Sequence, residues 1–381
     1  MKIAYIYPAL NTIGGADRVI TEKANYFAEV RNDEVYIITV HQNNVPIYFP
    51  LSPKVKHIDL NVNFLEQYNH SLPVRAYKYF SYLHKYKKLL SQLLCSIQPD
   101  IVLTTISRDI DFLHSIKDGS KKIAEAHVAK PYLRNIHQLI NRGGVYKLIG
   151  QHWIKKMEQN IRKFDALVVL TDRDARLWEG IKVCTVIPNS LPFYPEQSSN
   201  CMQKKIISVG RLDEQKGYDM LAEAWVSVHT KHPDWTLTIY GSGRIDQKTN
   251  SIIKQYHMED SFLIVQPVKN IIDKYLESSI YVMSSRFEGF GMVLAEAMAC
   301  GVPCISFDCP YGPSDIIKDG EDGLLVANAN IEQLAQKICH LIEHDDERSR
   351  MGTKAKENIK RYSRETIMEK WAKLFDQLLR Q

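Results

Sequence analysis

Four charged residues in the second half of the chain stand where charge is either costly or chemically useful. The stretch SVGRLDEQKG (208–217) places Arg211 and Lys216 in one loop ahead of the amphipathic run YDMLAEAW. An arginine fork, a lysine point charge and the N–H groups of a following helix suit a diphosphate. The plainer alternative is a surface loop whose cations pair with Asp213 and Glu214. Further on, SRFEGFGMVLAEAMAC (285–300) sets Glu288 beside Gly289 and Gly291, then places Glu296 in a run that is otherwise apolar on every side. A helix apolar all round is a buried helix, and an ionised carboxylate inside it costs roughly several kcal/mol unless it is paired. The glycines permit close approach of backbone to a ligand, and the helix that follows turns its free N–H groups and positive end to the same spot. Glu288 and Glu296 lie roughly 8–12 Å apart by helical rise, so one carboxylate could hold a sugar and the other a ribose, with phosphates between them. Two vicinal ribose hydroxyls donating to Glu296 would make its burial tolerable; an ion pair with a distant Arg or Lys is the alternative.

These residues need a scaffold, and the sequence supplies one. Short segments rich in β-branched and aromatic residues alternate with longer amphipathic ones: KIAYIYP, EVYIITV, DIVLTTI, KKIAEAH, DALVVLT and CTVIPN, then KKIISVG, WTLTIYG, SFLIVQP, IYVMSS, PCISFD and GLLV. That alternation implies βαβ units and parallel sheets. Two such series separated by the turn-rich NSLPFYPEQSSN (189–200) predict an α/β chain of two doubly wound, Rossmann-like domains. The expected boundaries are 1–190 and 191–363, with a helix over 364–381 that starts at a Ser363 cap and completes the first domain. In open α/β sheets ligands bind beyond the carboxyl ends of the strands. Gly14 and Gly15 follow the first strand, His127 follows KKIAEA, Arg211 and Lys216 follow IISVG, and Glu288 follows IYVMSS. If each domain presents that edge to the other, these residues converge on one cleft.

Composition narrows the function classes. The 381 residues are 45% hydrophobic and 24% charged, ordinary for a soluble globular protein. No stretch approaches the ~20 apolar residues that span a bilayer, and the N-terminus lacks the apolar core of a secretion signal. The seven scattered cysteines read as reduced packing thiols, which predicts a cytoplasmic setting. Cys300, Cys304 and Cys309 have spacing too irregular for a zinc site. The net charge of +5 conceals an asymmetry: residues 1–190 carry 26 Lys/Arg against 17 Asp/Glu, the remainder 23 against 27. The basic half suggests an anionic partner, either a membrane surface or a phosphorylated substrate. Within it, 73–94 has apolar or aromatic residues at 74, 77, 80, 83, 86, 90 and 94 beside Arg75, Lys78, Lys85, Lys87 and Lys88, and VYKLIGQHWIKKMEQNIRKF follows His127. Both are basic amphipathic helices, suited to docking at the inner face of a membrane or to packing on the sheet with a solvated lysine face. The basic residues form no recognisable nucleic-acid reader, so no nucleic-acid partner is expected.

SVGRLDEQKG, SRFEGFGMVLAEAMACGVPCIS and PSDIIKDGEDGLLV together resemble glycosyltransferase family 4, the retaining, nucleotide-sugar-dependent enzymes of GT-B fold. The resemblance covers the C-terminal half, while the N-terminal half adds only the early glycine pair and one histidine. It implies two Rossmann-like domains facing each other across a cleft, the first binding the acceptor and the second the donor. It further implies that Arg211 and Lys216 hold the donor diphosphate with the amides of Met292 and Val293. Glu288, with Gly289 and the amides of Phe290 and Gly291, would hold the transferred sugar, and Glu296 the ribose. His127 would lie beside that sugar, and Gly14 and Gly15 would let the first domain approach the phosphates. The expected reaction moves a hexose or N-acetylhexosamine from a nucleotide sugar, UDP-linked in preference to GDP-linked, to a hydroxyl of a glycan or lipid-linked acceptor in surface polysaccharide synthesis. Neither a cofactor nor a metal is expected.

Other readings are weaker on residues. Asp109-Ile-Asp111 and Asp172-Arg-Asp174 spell D-x-D, a metal motif of another glycosyltransferase fold, but read here as solvated loop or cap residues. YGSGRID (240–246) lacks the third glycine of a dinucleotide fingerprint. A phosphorylase would need a pyridoxal-binding lysine motif, which is not found. A nucleotide-sugar epimerase, or a non-catalytic sugar-nucleotide binder on the same fold, stays open as the alternative.

Overall fold

The computed structural model describes residues 1–380. The chain divides into two compact units: Met1–Pro188 together with the chain from Ile367 onward, and Asn189–Thr366.

The first unit is built on seven parallel strands: β1 (Lys2–Tyr7), β2 (Glu34–Thr39), β3 (Lys56–Asp59), β4 (Ile101–Thr105), β5 (Lys121–Glu125), β6 (Ala166–Val169) and β7 (Cys184–Val186). They lie in the order 3-2-1-4-5-6-7. The second unit carries β8 (Lys205–Val209), β9 (Thr236–Tyr240), β10 (Phe262–Val265), β11 (Ile280–Met283), β12 (Cys304–Phe307) and β13 (Gly323–Val326), all parallel in the order 10-9-8-11-12-13. Each predicted apolar run is a strand. β3 is the addition: at the sheet edge and no more than half-buried, its KHID needs no apolar run and so carries no sequence signal.

The strand order has a mechanical consequence. The progression of the chain across the sheet reverses between β1 and β4 and again between β8 and β11, opening a crevice at the carboxyl ends of those neighbours. The loops after β8 and β11 carry Arg211, Lys216 and Glu288, so the second unit's charged residues sit at its switch point.

Six helices frame the candidate residues: α1 (Gly15–Glu29), α2 (Leu72–Ile97), α3 (Gly144–Ile161), α4 (Tyr218–Lys231), α5 (Met292–Ala299) and α6 (Arg364–Leu379). Ser363 caps α6 as expected, its Oγ accepting from the Thr366 amide at 3.3 Å. From Ile367 onward α6 packs in the first unit, where Phe375 meets Phe27 of α1 with ring centroids 5.2 Å apart. The apolar stripe of α2 divides. Tyr86, Leu90 and Leu94 are buried in the core, whereas Val74, Tyr77 and Phe80 are exposed.

The second unit's core is centred on α4, where Trp225 is fully buried among Leu221, Val228, Leu237 and Ile239, with its indole N–H donating to Ser261 Oγ at 3.2 Å. Trp225→Ala should therefore lower the unfolding free energy of that unit by about 3–5 kcal/mol, read from the urea midpoint.

Candidate functional site

The two loops at the second unit's switch point are locked together by side chains. Lys216 Nζ lies 2.7 Å from Glu288 Oε1, with both side chains largely buried. Ser285, fully buried, donates to the same carboxylate oxygen at 2.6 Å. Gln215 Nε2 reaches the Phe287 carbonyl at 3.0 Å, and Ser284 Oγ donates to the Lys216 carbonyl at 2.9 Å. Arg286 forks onto Asp219 at 2.8 and 2.7 Å and donates to the Glu214 carbonyl at 2.9 Å. Burial pushes the Asp219 carboxyl up, but the Arg286 hydrogen bonds and charge outweigh it and hold the group below its ordinary value.

Glycine makes this closeness possible. Gly217 has φ +64, and a Cβ there would come within 2.2 Å of the Ser284 carbonyl oxygen. A Cβ on Gly241 would meet the Gly210 carbonyl oxygen at 2.0 Å. The YGSG turn is thus a buttress: Leu212 N donates to the Ser242 carbonyl at 2.8 Å, which sets the arginine loop in place.

Arg211 retains its plainer partners. Its side chain is 69% exposed, 3.1 Å from Asp213 Oδ2 and 3.2 Å from Gln215 Oε1. Lys216 instead bonds to Glu288, 72 residues away in sequence. Gly291 (φ +96) precedes α5, whose N-terminus has no side-chain cap, so the amides of Met292 and Val293 lie in the turn where helix N–H groups lack helical partners. Phe290 is buried, edge-on to Tyr362 at 5.3 Å, while Gly289 links Glu288 to it.

The expectation for Glu296 needs correction. α5 is not buried all round: Met292, Val293 and Glu296 share a half-exposed face. The carboxylate accepts from the Tyr275 hydroxyl at 3.0 Å, neither orphaned in the core nor dependent on a ribose to be tolerable. A cavity of about 270 Å³ opens on the outer side of the arginine loop, lined in part by Asp213, Asp219, Arg244 and Arg286; Lys216, Glu288 and Glu296 do not line it.

In the first unit, Gly14 and Gly15 open α1 directly after β1, and Asp17 accepts from the Thr12 amide and hydroxyl at 2.9 Å and from the Tyr7 hydroxyl at 2.7 Å. His127, with a side chain 10% exposed, has Nε2 3.4 Å from Glu125 Oε1. The same oxygen receives Lys23 Nζ at 2.5 Å, a buried ion pair that the sequence reading missed. Its signals were present: strand period places residues 125 and 127 on one side, and Lys23 interrupts the buried stripe Val19, Ile20, Ala24 and Phe27 of α1.

Of the D-x-D residues, Asp172 is exposed in the helical turn capped by Thr171, as expected of a solvated cap residue, whereas the other three are buried or half-buried. Asp109 is buried and bonded by the Thr104 hydroxyl; Asp111 accepts from Asn160 Nδ2 at 3.2 Å. Asp174, also buried, accepts from the Lys130 amide at 2.8 Å. Among the described residues no three His, Cys, Asp or Glu side chains group as metal ligands. Cys300, Cys304 and Cys309 are buried, and burial pushes the Cys300 thiol up to about 12.

Residues 194–358 match the family model for glycosyl transferases group 1. The chain is 28% identical over 376 residues to an uncharacterized glycosyltransferase of Haemophilus influenzae, covering 97% of this chain and 98% of that one. It is 26% identical over 379 residues, 98% of both chains, to a Campylobacter jejuni enzyme named as an α-1,4-N-acetyl-D-galactosaminyltransferase acting on a diNAcBac-PP-undecaprenol-linked GalNAc disaccharide. Among solved structures it is similar, at 18% identity and TM-score 0.76, to a mutant of S. aureus TarM in complex with fondaparinux, α-GlcNAc-glycerol and UDP; the likeness covers 98% of this chain and 99% of that one and shows the fold.

Burial pushes the Asp109 carboxyl up to about 6. A group whose pKa rises on folding holds its proton more tightly in the folded chain, so it favours folding below the unfolded value near 4 and opposes it as pH climbs through about 6. Relative to Asp109→Asn, the parent chain should lose about 2 kcal/mol of stability between pH 4 and pH 7, measured by urea unfolding at each pH.

Proposed function

We propose, from the match of residues 194–358 to the family model for glycosyl transferases group 1, that this chain is a glycosyltransferase that transfers a hexose or N-acetylhexosamine from a UDP-sugar, with retention, to a hydroxyl of a glycan or lipid-linked acceptor in surface polysaccharide synthesis. One observation carries the donor assignment: the Lys216–Glu288 pair, 2.7 Å apart at the second unit's switch point, beside the uncapped start of α5. An ammonium for phosphate oxygens and a carboxylate for sugar hydroxyls are the two groups a nucleotide sugar needs side by side.

The barrier in such a transfer lies in separating the anomeric carbon from the diphosphate. Lys216, Arg211 and the amides of Met292 and Val293 act where negative charge grows on the leaving group. Glu288 orients the sugar, and Glu296, half-exposed on α5, takes the ribose in exchange for solvent. His127 takes the place beside the sugar that the family resemblance implies, and Gly14 and Gly15 leave room for the phosphates. No side chain stands out as a nucleophile, so the departing phosphate receives the acceptor hydroxyl's proton on the same face. The UDP bound in the TarM complex supports the choice of nucleotide. The scheme itself uses no cofactor or metal.

The acceptor side is supported by surface chemistry. α2 exposes Val74, Tyr77 and Phe80 beside Arg75 and Lys78, and α3 exposes Val145, Tyr146, Leu148, Ile149 and Trp153 beside Lys147, Lys155 and Lys156. Both helices follow strands, so these starting turns lie toward the carboxyl edge of the first sheet, as His127 does. Apolar side chains ringed by lysines fit an anionic bilayer at the cytoplasmic face, where a lipid-linked acceptor would sit. No helix among the described residues is long and apolar enough to cross it.

Lys216→Ala and Arg211→Ala should each reduce UDP release from UDP-sugars by roughly 10²-fold and shrink the thermal shift produced by UDP. An Arg211→Ala protein with unaltered donor binding and full turnover overturns the assignment. Vesicles containing anionic lipid should blue-shift Trp153 emission at low salt, with the shift lost in Trp153→Ser and weakened at high salt.

A further inference from the structure

We propose that Lys23 and Glu125 are positioning residues for His127: their buried ion pair holds a carboxylate oxygen against the imidazole and fixes which ring nitrogen carries the proton. The inference rests on the proposed placement of His127 beside the transferred sugar.

Three elements converge on one carboxylate oxygen. Glu125 at the end of β5 offers Oε1 to Lys23 Nζ of α1 at 2.5 Å and to His127 Nε2 at 3.4 Å. The lysine is sealed in: its side chain is 1% exposed, and its ammonium lies 3.7 Å from the centroid of the Trp371 ring, contributed by α6. Tyr5 of β1 closes another side, its ring centroid 5.9 Å from the ammonium. The other titratable groups facing the pair are the Tyr5 hydroxyl, raised by burial and by the charges of Glu125 and Asp33, and Tyr7, raised by burial and by Asp17. Lys23 is the first of the charged groups that lower the Glu125 carboxyl.

The charge balance follows. Burial alone would push the Glu125 carboxyl up, yet Lys23 and His127 hold it down at about 2, so it stays ionised. The ionised oxygen accepts only, so it favours the tautomer with the proton on Nε2 and leaves Nδ1 as the lone-pair nitrogen. Nε2 is buried and makes no hydrogen bond, its 3.4 Å approach to Oε1 being of the kind that tightens into one on binding. Without Lys23, Glu125 would be an unpaired buried anion and would draw a proton onto His127. Trp371 gives α6 a part in this device, since its ring covers the ammonium that holds the Glu125 carboxylate in place.

The test reads the ring directly. In protein labelled with ¹⁵N-histidine, the His127 signals are identified by their loss in His127→Asn, and the ring is titrated by NMR. The unaltered protein should show the neutral Nε2–H tautomer near neutral pH. Lys23→Met should raise the titration midpoint of His127 by about one pH unit or more, and Glu125→Gln should abolish the tautomer preference. UDP release from UDP-glucose and UDP-N-acetylglucosamine should fall about tenfold or more in kcat in Glu125→Gln, with KM within about twofold, and Lys23→Arg, unlike Lys23→Met, should keep both readouts close to those of the unaltered protein. If Lys23→Met fails to fold, the Lys23→Met/Glu125→Gln double variant, which buries no net charge, should show the Glu125→Gln ring behaviour. Ring tautomer and titration unaltered in folded Glu125→Gln protein overturn the inference and leave the proposed reaction intact. Full turnover in His127→Asn, with the ring changes observed as expected in the other variants, overturns the role of His127 in the reaction and leaves the positioning by Lys23 and Glu125 standing.

Discussion

The second unit depends on a constraint between two loops that the chain separates by 72 residues: Lys216 and Glu288 share a largely buried ion pair. Neither group could stand there alone, since an unpaired charge in that setting would be strongly destabilising. Their pairing draws the loop after β8 onto the loop after β11. The Gln215–Phe287, Ser284–Lys216 and Arg286–Asp219 contacts then hold the rest of both loops at fixed spacing. A site assembled before its ligand arrives spends less of its binding energy on ordering itself.

Both units use the same device with different exposure. Lys216–Glu288 lies at the surface of a crevice, with 13% and 8% of the two side chains exposed, so a ligand can exchange with either partner. Lys23–Glu125 is sealed beneath Trp371 and can act only through His127. In the proposed reaction the first pair touches the donor, and the second positions a residue placed beside the sugar. That distinction explains why the sequence signals differ. The ligand-facing pair is flanked by glycines that allow backbone to crowd together, whereas the sealed pair sits in ordinary helix and strand.

Much of the architecture was legible in the sequence because parallel strands buried on both faces must be continuous apolar runs. Twelve runs read as strands are strands, and β3, an edge strand half in solvent, left no such mark. The switch-point loops were legible through Arg211 and Lys216 in one and Gly289 and Gly291 in the other. What could not be read was partnership across the chain. Glu296 looked like a buried charge in want of a ligand, since α5 is apolar by composition; its exposed face and the Tyr275 hydroxyl emerge only when α5 is packed. Asp109 looked solvated because a D-x-D in a polar stretch usually is, yet the turn after β4 folds it inward onto Thr104. The stripe of α2 is continuous in sequence and divided in space, since the helix outruns the sheet that buries its second half.

The central claim is that the paired loops hold the diphosphate of a nucleotide sugar. A structure of the protein soaked with UDP tests it most directly. The account predicts phosphate oxygens within hydrogen-bonding distance, about 3 Å, of Lys216 Nζ and the amides of Met292 and Val293, with the ribose hydroxyls on Glu296. UDP bound instead in the cavity lined by Arg244 and Arg286, with the Lys216–Glu288 pair untouched, would contradict it.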